Sequence, residues 1–271
     1  MNQKSIGIIA GNGRFPMLAA AEARRQGYRV AVCALKGETD PQLETFADAW
    51  TCVKLGEMSK LARFFKDQKV PQLLMAGKVE KVRLFRENVQ PDFEMLKIIM
   101  KVRDFKDDSL LCAVADYLEE QGLPLTDSTL FLKELLPGEG VLGKKKPSRE
   151  VMDDIEFGFG MAKAIAGLDI GQTVIVKKKA VLAVEAIEGT DLAIRRGHAL
   201  GGAKAVAVKV AKPNQDMRFD VPALGLQTLE ELISAQAEAM AFEADKTLIM
   251  DREAFISKAD EHGIALYGVK S

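Results

Sequence analysis

"KSIGIIAGNGRFPMLAAAEARRQGYRVAVCAL", residues 4–35, decides the fold of this chain. Ser5–Ala10 is a short apolar run that breaks into Gly11, Asn12 and Gly13. An alanine-rich helical pattern follows over 15–26, Gly27 offers a C-terminal cap, and the run then turns β-branched at Arg29–Leu35. Strand, glycine turn, helix and strand together predict a right-handed parallel βαβ unit.

Working outward, strand-like runs at 49–55 and 72–76 alternate with amphipathic helical stretches, and helices dominate after Lys81, starting at Pro91–Asp92 and at Asp107–Ser109. "LPGEGVLGKKKPS" over 136–148 concentrates Gly, Pro and Lys and reads as a linker. Beyond it, Ser148 caps a long helix. Thr173–Lys177 and 180–187 form a hairpin around a Lys-rich turn, and a strand at 203–210 precedes two terminal helices. The expected class is α/β: a Rossmann-like parallel-sheet N-terminal domain over 1–135, the linker, and a mixed α/β C-terminal catalytic domain over 149–271.

Composition excludes several functions. With 271 residues, 48% of them hydrophobic and 28% charged, the chain can bury substantial cores. Its 38 basic side chains nearly cancel 39 acidic ones, so no field gathers nucleic acid. Basic clusters at Lys144–Lys146 with Arg149 and at Lys177–Lys179 read as solvated turns, with contact to an anionic lipid surface as the alternative. Cys33, Cys52 and Cys112 lack paired spacing, which points to the cytoplasm, and no apolar run reaches the ~20 residues of a membrane span. Two histidines, His198 and His262, are too few for a His-rich binuclear site or an HExxH zinc site.

Four constellations remain. Gly11, Asn12, Gly13 and Arg14 follow the first strand, where backbone N–H groups and a helix N-terminus suit an anion; the same residues read equally as a tight strand-to-helix turn, since a third spaced glycine is missing. Gly77 and Lys78, in "AGKVEK", end another strand, and the carboxyl edge of an open α/β sheet is where ligands bind. "VEAIEGTD" offers Glu185, Glu188, Thr190 and Asp191, or simply caps the next helix. Finally, "KVAKPNQDMRFDVPALG" crowds Lys209, Lys212, Gln215, Asp216, Arg218 and Asp220. Asp216 and Asp220 there suit a hard divalent cation, while Lys212 and Arg218 suit phosphate. Mg²⁺ is the natural metal.

In combination, "IGIIAGNGRFP", "AGKVEK", "DDSLLCAVADYLEEQG", "LDIGQTVIVKKKAVLAVEAIEGTD" and "KPNQDMRFDVPALG" resemble the LpxI-type UDP-2,3-diacylglucosamine pyrophosphatases of lipid A biosynthesis, in order from about Ile6 to about Tyr267. The resemblance implies Mg²⁺-dependent hydrolysis of UDP-2,3-diacylglucosamine to 2,3-diacylglucosamine 1-phosphate (lipid X) and UMP, with attack on the sugar-side phosphorus and the lipid held between two domains. It implies one essential aspartate in the C-terminal domain, for which Asp216 is favoured over Asp220.

The expected scheme gives Asp216 and Asp220 to the metal or the attacking water, with Glu185 or Glu188 assisting and Glu188 counted as catalytic. Thr190, Lys212, Gln215 and Arg218 contact the substrate, and Gly11–Arg14 with Gly77 and Lys78 hold the sugar phosphate. A cytoplasmic protein touching the inner membrane peripherally is expected, and a homodimer is left open. Two other classes stay open: an NAD-dependent sugar-nucleotide oxidoreductase, disfavoured because Leu35 and Lys36 stand where an acidic residue would end the second strand, and a non-catalytic phosphoglycolipid-binding protein.

Overall fold

The run Ser5–Ala10 forms β1, buried from Ile6 onward, as a central parallel strand covered on both faces requires. Its helix, α1 (Phe15–Arg25), turns Phe15, Pro16, Ala19, Ala20 and Ala23 inward, and the alanines let it lie close to the sheet. It ends in a Schellman turn: Tyr28 N donates to Ala23 O at 3.0 Å and Gly27 N to Arg24 O at 2.9 Å, with Gly27 at φ 82°. β2 (Arg29–Leu35) then pairs with β1 in parallel, as the βαβ pattern predicts.

The structure, a computed structural model, describes residues 4–79, 91–102, 107–219 and 221–271. Lys81 and Asp220 of the sequence reading lie outside them. Contacts divide the chain into two units, Met1–Leu132 with Asp216–Asp220, and Lys133–Gln215 with Val221–Ser271.

In the N-terminal unit, β3 (Ala49–Val53) and β4 (Leu73–Ala76) complete a parallel sheet of order β3-β2-β1-β4. Its core includes Leu61 and Phe65 from α2 (Met58–Asp67), Ile98 from α3 (Phe93–Lys101) and Leu118 from α4 (Asp107–Glu120). Phe219, from the far end of the sequence, is buried in the same cluster.

The second unit holds a mixed sheet of order β5-β12-β10-β8-β6-β7. Its strands are β5 (Gly140–Leu142), β6 (Thr173–Lys177), β7 (Ala180–Val184), β8 (Val206–Lys209), β10 (Ala239–Glu243) and β12 (Ala265–Val269). β9 (Ala223–Leu224) and β11 (Leu248–Ile249) pair separately. Along the central strands, alternate residues enter two cores. Val174, Val176, Val206 and Val208 meet α5 (Arg149–Gly167), which Ser148 caps as expected. Ile175, Ala207, Met240 and Phe242 meet α6 (Thr190–Gly201), α7 (Leu226–Ser234) and α8 (Arg252–Glu261).

Three details differ from the sequence reading. The stretch expected as a linker over 136–148 contributes β5, antiparallel to β12, because its Gly-Val-Leu run supplies the hydrogen bonds of an otherwise open edge. β8 begins only at Val206, since Lys204 still turns at φ 65°. The Lys-rich hairpin turn is exposed at Lys178 and Lys179, as a solvated turn is, but it has a feature the sequence did not announce: both residues sit at positive φ, and their N–H groups donate to Asp154 Oδ2 at 2.8 Å and Oδ1 at 2.6 Å. Lys177 Nζ caps α6 through the carbonyls of Gly201 and Ala203, each at 2.7 Å.

Candidate active site

The order β3-β2-β1-β4 makes the gap between β1 and β4 the place where successive crossovers diverge, and the carboxyl ends of both strands are level, Ala10 opposite Ala76. The turns that follow are stitched to each other. Gly11 N donates to Ala76 O at 2.8 Å, Asn12 N to Lys78 O at 2.7 Å, and Lys78 N to Asn12 O at 3.0 Å. A Cβ on Gly11 would lie 2.5 Å from Lys78 O, and one on Gly77, which has φ 90°, 2.6 Å from Asn12 O. These glycines therefore serve the close approach of two backbones. The amides of Gly11 and Asn12 are engaged there, by Ala76 O and Lys78 O. Gly13, at φ 95°, then turns the chain into α1, whose N-cap residue Arg14 gives no side-chain cap. Gly11–Arg14, Gly77 and Lys78 are thus brought together, with exposed Arg14 and Lys78 on one sheet edge.

The chain passes from the second unit into the first between Gln215 and Asp216. The 216–219 turn is pinned within the N-terminal unit: Ser128 N donates to Met217 O at 2.8 Å, and Ser128 Oγ lies 2.6 Å from the carbonyls of both Met75 and Arg218. Asp216 caps the turn by accepting Arg218 N on Oδ1 at 3.0 Å. The Arg218 side chain then forks onto the carboxylate, Nε 3.0 Å from both oxygens and Nη2 2.7 Å from Oδ2. That guanidinium holds the Asp216 carboxyl below the usual carboxylate range and is itself raised by it.

In the C-terminal unit, Lys209 ends β8 almost fully buried. Its Nζ donates to Thr190 Oγ1 at 2.7 Å and lies 3.8 Å from Glu185 Oε2, while Thr190 Oγ1 donates to Glu185 Oε1 at 2.9 Å. Thr190 opens α6 directly after its N-cap residue Gly189, which sits at φ 85°. Three residues beyond Lys209, buried Lys212 pairs with Asp169 Oδ1 at 2.7 Å and accepts Gln215 N on its carbonyl at 3.1 Å. Glu188 points elsewhere: it binds the Arg196 guanidinium and accepts Ala186 N at 3.1 Å. Burial works to raise its pKa, but hydrogen bonds from its own amide, Arg196 and Ala186 bring it below the ordinary value.

Asp169, Lys163 and Glu243 were not singled out from sequence. Glu243 is fully buried and accepts Lys163 Nζ at 3.0 Å, Lys246 Nζ at 2.9 Å and Ala211 N at 2.9 Å. One signal was present, a single acid ending the apolar run "AMAFE". Asp169 sits at φ 57° after α5 and gave none.

The exposed cations suit phosphates, and the Glu185–Thr190–Lys209 chain fixes a carboxylate. Among the described residues no three His, Cys, Asp or Glu side chains group to hold a metal, and Arg218 engages both oxygens of Asp216. No described helix is long and apolar enough to cross a membrane.

The family model described as LpxI N-terminal domain matches residues 5–135, and that of the LpxI C-terminal domain matches 138–267. The UDP-2,3-diacylglucosamine pyrophosphatase LpxI of Caulobacter vibrioides is 34% identical over 277 residues, covering 98% of each chain. Among solved structures, a UDP-glucose-4-epimerase from Stenotrophomonas maltophila with bound NAD is similar at 15% identity and TM-score 0.30, over 45% of this chain and 35% of that one. An N5-carboxyaminoimidazole synthetase from Staphylococcus aureus is similar at 16% identity and TM-score 0.25, over 64% and 37%.

Proposed function

The chain belongs to the LpxI family, and we propose that it hydrolyses the pyrophosphate of UDP-2,3-diacylglucosamine to 2,3-diacylglucosamine 1-phosphate, lipid X, and UMP, in lipid A biosynthesis. One observation carries the reading: the likeness to a pyrophosphatase of that specificity runs through both domains, end to end.

Water attacks the sugar-side phosphorus. Its oxygen forms the new P–O bond, the bridging P–O bond breaks, UMP leaves with that electron pair, and lipid X keeps the water oxygen. Arg14 and Lys78 bind phosphate oxygens at the edge of the parallel sheet, and Arg218 exchanges Asp216 for the diphosphate. Asp216, so released, orients the water. Of the two glutamates, Glu185 is the better assistant, because Thr190 and Lys209 fix its position. Lys212 and Gln215 complete the substrate contacts, and the role of Asp220 belongs to the same scheme. Mg²⁺, held through the diphosphate oxygens, would supply neutralisation of the substrate's charge. Because the substrate is diacylated, the protein makes transient, peripheral contact with the cytoplasmic side of a membrane, and it acts as a homodimer.

The test is turnover of UDP-2,3-diacylglucosamine in ¹⁸O-water, with and without Mg²⁺. Label in lipid X is expected. Label in UMP overturns the direction of attack, and no turnover in either condition overturns the activity.

A further inference from the structure

The loop after α5 partitions its side chains the wrong way round for an ordinary surface turn. Asp169, held at φ 57°, sends its carboxylate inward to buried Lys212, while its neighbours Leu168 and Ile170 are 70% and 47% exposed. This loop abuts the end of β7: a Cβ on Gly171 would lie 2.0 Å from Glu185 O, and Gln172 N is 3.4 Å from Glu185 Oε2. Two residues past Glu185, Ile187 is 67% exposed, and Leu192 in the first turn of α6 is 48% exposed. An apolar rim therefore borders the polar groups Glu185, Thr190 and Asp169.

Resting on the pyrophosphatase reading, we infer that Leu168, Ile170 and Ile187 seat an acyl chain of the substrate, with the sugar end against Thr190 and the Asp169–Lys212 pair. Apolar rim and polar interior in immediate succession match an acylated sugar, which changes character over the same short distance. An anionic bilayer is the poorer occupant. The nearby cations are already matched by acids, Lys212 by Asp169, Lys209 by Glu185, Arg196 by Glu188 and Arg195 by Glu231, so the rim offers little charge to lipid headgroups.

The test uses the full chain with Ile170→Asn and Ile187→Asn together, and separately Leu168→Gln. These side chains are exposed, so melting curves like the wild type's are expected. Steady-state kinetics are read over a series of UDP-2,3-diacylglucosamines of increasing acyl length dispersed in detergent, and lipid X binding is read by calorimetry. The expected result is a KM raised at least tenfold for the longest chains with kcat within twofold, a flattened dependence of KM on chain length, and lipid X binding at least tenfold weaker. Unchanged KM and unchanged lipid X affinity overturn the seat. Loss of binding to phosphatidylethanolamine–phosphatidylglycerol vesicles with KM unchanged also overturns it and makes the rim a bilayer contact. A wild type that binds lipid X but does not turn over the substrate refutes the activity alone, and the binding comparison still decides the seat.

Discussion

Arg218 grips both carboxylate oxygens of Asp216, two residues before it, on a turn that Ser128 pins to the N-terminal unit. A carboxylate so matched is poised only after another anion takes the guanidinium. Asp216→Asn is therefore expected to lower kcat/KM by about a hundredfold or more, the scale of losing a group that stabilises charge in the transition state. Arg218→Lys should lower it by roughly tenfold, since an ammonium lacks the planar fork. Steady-state assays on folded variants check both, and a wild-type rate for Asp216→Asn would sink the assignment.

Glu185 and Glu188 separate by their partners. Glu185→Gln is expected to lower kcat by about tenfold or more as the carboxylate fixed by Thr190 is lost, within the range of general acid–base contributions. Glu188→Gln should stay within about twofold, because its partners Arg196 and Ala186 N lie outside that chain of contacts. Equal losses would refute the distinction.

Glu243 carries two lysines and a backbone amide with no solvent exposure. Glu243→Gln should cost about 3–5 kcal/mol at pH 7, since it leaves Lys163 and Lys246 without their charge partner. Burial works to raise the Glu243 pKa, but Lys246, Lys163 and Ala211 N–H outweigh it, so the folded value lies below the unfolded value. The contribution is then complete above about pH 4.3 and is lost as pH falls through the folded value. Urea melts should show the gap between wild type and variant shrinking below about pH 4.

The hairpin turn at Lys178 and Lys179 needs positive φ from two side-chain-bearing residues, and Asp154 satisfies both their amides. Asp154→Ala should destabilise by about 1–3 kcal/mol, the scale of losing hydrogen bonds to a charged group. Replacing Lys178 and Lys179 by Asn-Gly in that background should recover part of the loss, because this pair favours the turn intrinsically. Thermal melts of the three proteins test the order.

Gly77→Ala places a methyl 2.6 Å from Asn12 O on a backbone at φ 90°. It should destabilise by about 1–3 kcal/mol and raise KM, since the loops carrying Arg14 and Lys78 must part. Gly27→Ala, also at positive φ but with no atom within 4 Å of its Cβ, should destabilise while leaving KM unchanged.

Much of this was legible along the chain. The alternation of periods locates β1, α1 and β2, Ser148 announces α5, and the β6–β7 hairpin follows from two β-branched runs around a turn. Such signals are local, because period and cap chemistry act within a few residues. The crowding of Lys212, Gln215, Asp216 and Arg218 is also visible along the chain, but what surrounds each of them is not. That Phe219 joins the N-terminal core, that Ser128 holds the Arg218 carbonyl 90 residues away, and that Gly11 and Gly77 serve the close approach of two turns are matters of pairing across the chain. A sequence pattern states which groups need partners; which partner each one finds depends on the packing that brings distant segments within about 3 Å of one another.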